Sequence, residues 1–75
     1  MKYYLLVQKN QEESRVVEIG EKYRLQNFMR GYRLGIIACG WKSYGTYRDN
    51  DHWLVNGEGR GIRIYMLDEK EWGDL

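Results

Sequence analysis

Few side chains in this chain are suited to chemistry. Cys39 and His52 are the only thiol and the only imidazole among 75 residues. Together they are the minimum a cysteine nucleophile and its base would need. Cys39, however, falls on the apolar stripe of a predicted helix, where cysteine is ordinarily inert packing. A metal-independent nuclease is the other enzymatic option, since acid–base cleavage of RNA needs groups such as His52, Glu58 and arginines in one cleft. No spacing in the chain demands it. Asp49, Asp51, His52 and Glu58 include metal-ligand types, yet an EF-hand loop beginning at Asp49 would need an oxygen side chain and a glycine where Trp53 and Leu54 stand. A structural zinc takes four ligands, and one Cys with one His falls short.

Gly57-Glu58-Gly59-Arg60-Gly61 invites comparison with phosphate-binding loops. The dinucleotide fingerprint requires a glycine where Ile62 stands, a P-loop requires a following Gly-Lys-Ser/Thr, and Glu58 would repel a phosphate. The segment reads as a hairpin loop. No catalytic residue, metal ligand or cofactor is assigned.

The distinctive feature is charge. From Lys22 to Arg48 there is no acidic residue, while Lys22, Arg24, Arg30, Arg33, Lys42 and Arg48 alternate with Tyr23, Phe28, Tyr32, Trp41, Tyr44 and Tyr47. Six cations against Glu21 give residues 21–48 a charge of +5, and seven carboxylates against three cations give residues 49–75 a charge of −4. The net +1 therefore describes a dipolar chain rather than a neutral one. A basic, aromatic surface of this kind suits a polyanion or an acidic partner.

Length and composition set the scale. A chain this short is one domain, 1–75, and buries only about 60% of its unfolded surface, so its aromatics must supply much of the core. A single cysteine permits no internal disulfide and fits a reducing compartment. The apolar run Tyr3–Val7 is too short for a signal-peptide core or a membrane span. The expectation is a soluble cytoplasmic protein with no membrane partner.

Periodicity orders the elements. Lys2–Gln8 and Ser14–Ile19 alternate with period two around the polar turn Asn10–Glu13 and predict a hairpin. From Glu21 the period becomes about 3.6, with Leu25, Phe28, Met29, Tyr32, Ile36 and Cys39 on one face of an amphipathic helix. Gly20 serves as its N-cap and Glu21 suits the positive end of its dipole. Gly31 and Gly35 weaken the helix by about 1 kcal/mol each relative to Ala, so it ends either near Leu34 or, in the favoured reading, near Ala38 with closure at Gly40. Trp41–Arg48, His52–Asn56 and Ile62–Leu67 read as strands separated by turn chemistry. Residues 68–75 form an acidic tail expected to fray or make a short turn.

The order ββαβββ predicts an α+β fold, a small antiparallel sheet with one amphipathic helix on one face. Its expected core is Leu5, Val7, Val17, Ile19, Leu25, Phe28, Met29, Tyr32, Ile62 and Ile64, with Trp41 and Trp53. Alternation puts Lys42, Tyr44, Thr46 and Arg48 on one face of their strand, so the open face of the sheet carries Lys42, Tyr44, Arg48, Arg63 and Tyr65. A separate patch on the polar side of the helix includes Arg30 and Arg33.

The functional expectation is a small non-catalytic interaction protein, a regulator or inhibitor that docks on another protein through Arg30, Arg33, Lys42, Tyr44, Arg48, Arg63 and Tyr65. Exposed Tyr, Trp and Arg are the usual material of binding hot spots. The alternative is a single-stranded nucleic-acid binder in which Tyr44 and Tyr65 stack bases on the open sheet face. A near-neutral total charge and the lack of RNP, KH or zinc-finger spacing weigh against it. Exposed aromatics can also be buried on a second copy, so homodimerisation competes with both readings. The acidic tail is read as a solvated terminus, a competitor for the basic patch or a weak nucleic-acid mimic.

Overall fold

A computed structural model describes residues 1–10, 12–48 and 51–73, and of residues 44–48 the backbone alone. The chain forms β1 (Tyr3–Lys9), β2 (Arg15–Gly20), α1 (Lys22–Ala38), β3 (Lys42–Arg48), β4 (Asp51–Val55), β5 (Gly61–Asp68) and a short α2 (Glu69–Gly73). The expected α+β architecture is present, as one antiparallel sheet in the order β2-β1-β5-β4-β3 with α1 on one face. No helix among the described residues is long and apolar enough to cross a membrane.

The core lies between α1 and the sheet. Leu25 and Met29 of α1 meet Leu5 and Val7 of β1, Leu54 of β4, and Ile62, Ile64 and Met66 of β5. Tyr3, Tyr32, Ile36 and Trp41 close its margins. Leu25, Met29, Tyr32 and Ile36 follow each other at steps of four, three and four, the spacing that keeps one helix face inward. Each fully buried leucine contributes about 1.5–3 kcal/mol.

The helix ends where a left-handed residue is available. Gly40 has φ +100°, its N–H donates to the Ile37 carbonyl at 3.0 Å, and the Trp41 N–H donates to the Ile36 carbonyl at 3.3 Å. That is the Schellman pairing, with Trp41 and Ile36 both packed against the core beside it. The longer of the two expected helices is therefore the one that forms. At the other end the cap is Glu21, without a side-chain hydrogen bond, and not Gly20, which closes β2.

Several expectations are corrected by the sheet register. Tyr4 pairs with Ile19 and Leu5 with Glu18, but Leu6 pairs with Val16, so a bulge sits in β2. The extra residue breaks the alternation on which Val17 and Ile19 were assigned to the core, and both are exposed, as is Phe28 at the border of the helix stripe. Trp53 pairs with Arg63 on the face away from α1. Leu54, Met66 and Leu6 are buried instead. In β3 the register shifts between Ser43 and Gly45 and again between Thr46 and Arg48. Ser43 and Thr46 thereby align with Leu54 and His52, while Lys42, Gly45 and Arg48 align with Val55, Trp53 and Asp51. Strict alternation does not sort this strand.

Turns are held by asparagines. Asn56 Oδ1 accepts from the N–H groups of Glu58 (3.0 Å) and Arg60 (2.9 Å), which folds residues 57–60 into the β4–β5 hairpin loop. Asn10, at φ +54°, ties the β1–β2 turn to β5 through its N–H to the Gly61 carbonyl and its Oδ1 from the Gly61 N–H. Of the tail expected to fray or make a short turn, Glu69–Gly73 form α2, and residues 74–75 lie outside the described residues. Asp68 Oδ1 accepts from the Glu71 N–H at 2.8 Å, and Trp72 stacks on Tyr4 with ring centroids 4.8 Å apart.

Candidate docking surfaces

The sheet face away from α1 carries Arg63 and Tyr65 side by side on β5, as alternation predicts. They are occupied with each other. The Arg63 guanidinium lies 3.9 Å from the Tyr65 ring centroid and 5.3 Å from that of Trp53. It also grips Asp51 in a bidentate pair, Nε to Oδ1 at 3.0 Å and Nη2 to Oδ2 at 2.8 Å. The hydrogen bonds to Asp51 raise the Arg63 pKa further above its ordinary value, against a smaller lowering from partial burial. Tyr65 is only 8% exposed, and its hydroxyl donates to Ser14 Oγ at 2.6 Å. The expectation that Tyr65 offers an open ring is corrected: Arg63 covers it, because a desolvated guanidinium gains from both a carboxylate and a π-face.

The helix patch separates into two parts. Arg30 is exposed on the solvent side of α1. Arg33 sits on the flank facing β4, where its Nη1 donates to His52 Nδ1 at 2.9 Å. Arginine has no acceptor, so this contact fixes Nδ1 as the unprotonated nitrogen. His52 is 8% exposed on the α1 side of the sheet, which places the only imidazole inside the fold rather than in an open cleft. Arg33 Nε is also buried, with no hydrogen-bond partner among the described residues. Cys39 is exposed at the helix C-cap rather than packed in the core.

Lys42 is exposed at the start of β3, opposite Val55. The backbones of Tyr44 and Arg48 belong to β3, and their side chains lie outside the described residues. The five predicted residues whose side chains are described are thus not brought into one surface. Arg63 and Tyr65 form one internal cluster, Arg33 another, and Arg30 alone stands on open helix surface.

Sequence reasoning missed what surrounds Arg30. At about 100° per residue, Tyr23, Arg30, Leu34 and Ile37 fall within about 60° of one another, opposite the core stripe. Tyr23 is 79% exposed and Leu34 55%, with Ile37 and Phe28 also exposed. A search for one apolar stripe finds the buried one first. The second was readable as the residual spacing 23, 30, 34, 37.

Both sheet edges are guarded. On β2 the Ile19 carbonyl accepts from Arg24 Nη2 at 2.7 Å, and the Ile19 N–H donates to Glu18 Oε1 at 3.1 Å. Arg24 and Glu18 are themselves 3.4 Å apart. On β3 two bulges break the line of the edge. Faces, not edges, are left to bind. Among the described residues no three of His, Cys, Asp or Glu are grouped to hold a metal. No family model matches the chain, and comparison with curated proteins and with solved structures finds no similar protein.

Proposed function

We propose that this protein is a non-catalytic interaction module that docks on an acidic protein surface through the solvent side of α1. The observation that carries the reading is the exposure of Tyr23 and Leu34 around Arg30, on a helix with four cations and no carboxylate. Isolated exposed apolar residues are ordinary, but a stripe of them sharing one helix face with an arginine is hot-spot composition. The partner must bring carboxylates toward Arg30 and apolar hollows for Leu34 and Tyr23. The single-strand reading has less support, because Arg63 already occupies the ring of Tyr65.

The test is capture from native cell extract on immobilised wild-type protein, Leu34→Asp and Arg30→Glu, with and without nuclease. The reading expects proteins that the wild type retains after nuclease treatment and that both variants lose. Capture that disappears with nuclease, or that neither substitution weakens, would overturn it and return weight to nucleic acid.

A further inference from the structure

The solvent side of α1 has a period of its own. Tyr23, Asn27, Arg30, Leu34 and Ile37 follow each other at steps of four, three, four and three, and each of them is exposed. Alternating steps of three and four are the seam of a coiled coil, the line of residues that keeps facing a neighbouring helix. At about 100° per residue the seam stays within about 80°, and the stripe of Leu25, Met29, Tyr32 and Ile36 that packs on the sheet lies opposite it. One helix therefore carries two seams, and the sheet covers one of them.

The chemistry of the outer seam describes what would fill it. Tyr23, Leu34 and Ile37 need apolar side chains to insert between, Asn27 needs a polar one and Arg30 a carboxylate. Arg30 is the middle position, so a carboxylate at the centre of a facing seam meets it whichever way that helix runs. Lys22 and Arg30 are exposed, and α1 itself holds no carboxylate, Glu21 standing at its N-cap. The acids on the helix side of the sheet are engaged there, Glu18 with Arg24 and Asp68 with the Glu71 N–H. Gly31 and Gly35 also favour a helix as occupant. Each weakens α1 relative to Ala, yet a Cβ at either would meet nothing within 4 Å in the described fold. They flank the seam on the side of Phe28, where small residues let a second backbone come close.

We infer that the partner presents an acidic amphipathic α-helix, which lies along α1 on the seam from Tyr23 to Ile37 with a carboxylate against Arg30. The inference rests on the reading of α1 as the docking surface and names the element that occupies it. The 17 residues of α1 offer a contact about 25 Å long. A second copy of this chain does not supply the facing helix. α1 against α1 would set Arg30 at the centre opposite its own copy, with no carboxylate on either helix, and α2 spans only Glu69–Gly73. The charged part of the contact is exposed at its rim and is screened by salt.

The probe is a labelled synthetic peptide of about three heptads with Leu along its seam, Glu at the middle of the seam and Glu on both flanks. A second peptide carries Lys at the middle position alone, and a third scrambles the first so that the heptad is lost. Fluorescence anisotropy with the full chain measures binding, and circular dichroism measures helix gained on mixing and verifies that each variant is folded. The first peptide is expected to bind, to gain helix and to weaken with salt, and the scrambled one to bind at least about tenfold more weakly. Leu34→Asp should weaken the first peptide by about tenfold or more. Arg30→Glu should reverse the preference, so that the peptide with the central Lys binds better than the one with Glu. Failure of the first peptide to bind, equal binding by the scrambled one, or a preference that Arg30→Glu leaves unchanged would each overturn the inference. So would a wild type that dimerises on sedimentation through a contact that Leu34→Asp abolishes, which would make a second copy the occupant. Extract proteins lost by Leu34→Asp while the first peptide does not bind would reject a helix as occupant and leave α1 as the docking surface.

Discussion

Arg63 lies over the Tyr65 ring while one edge of its guanidinium, Nε and Nη2, holds Asp51, so that one cation is satisfied by a ring and a carboxylate together. The side chain of Asp51 is 9% exposed and that of Arg63 28%. Removing one partner strands the other's charge in a mostly dry site. Asp51→Ala and Arg63→Met are each expected to destabilise by about 3 kcal/mol, the low end for a buried pair because the guanidinium keeps some solvent. The double variant should cost less than the sum, as urea unfolding of the four proteins would reveal. The sign with pH is fixed by the raised Arg63 pKa. A cation favoured by folding contributes fully below its unfolded pKa and loses that contribution only as pH rises through the higher folded value. Between about pH 6 and pH 10 this guanidinium should therefore leave stability flat.

Arg33 and His52 join α1 to β4. Their contact needs a lone pair on His52 Nδ1 and a donor on Arg33, so removing the donor takes away this link between helix and sheet. Arg33→Met is expected to cost about 1 kcal/mol. Chemical unfolding of the two proteins at neutral pH checks it. Equal stability in both would reject the role given to this pair.

Gly20 is a glycine because of Arg24. A Cβ at position 20 would stand 2.5 Å from Arg24 Nη2, inside contact distance. The obstacle is the end of a flexible side chain, so Gly20→Ala should displace Arg24 rather than the backbone. The expected result is a folded protein whose Ile19 carbonyl has lost its cap and whose β2 edge is open to pairing. Light scattering on heating should then rise in Gly20→Ala and in Arg24→Ala alike. Unchanged scattering in both would mean the cap does not protect the edge.

Leu25 and Leu34 separate folding from docking on one helix. Leu25 is fully buried and Leu34 is 55% exposed. Leu25→Ala should destabilise by about 3 kcal/mol, whereas Leu34→Ala should stay within about 0.5 kcal/mol of the wild type. Thermal melts give both values. A large loss at Leu34 would mean that its side chain belongs to the core.

Short-range chemistry made much of this legible in advance. The change of period at Glu21, the left-handed stop at Gly40 and the asparagine- and glycine-rich turns are properties of a few neighbouring residues. They placed one helix and five strands close to where they stand. Phe28 and Ile19 show the limit: a hydrophobic residue at the right period is core only if something packs on it.

By itself, then, the sequence determined the α+β class, the order of elements and the dipolar charge, because propensity, turn chemistry and composition act locally. Tertiary structure alone decided which cations are spent inside the fold and which remain outside. Arg63 became internal because β4 brought Asp51 beside it, and Arg33 because the same strand brought His52 under α1. Strand register also decided the faces, since one extra residue in β2 or β3 shifts every residue after it. Arg30 stayed on the surface because no strand reaches the far side of a helix packed on one face of a sheet.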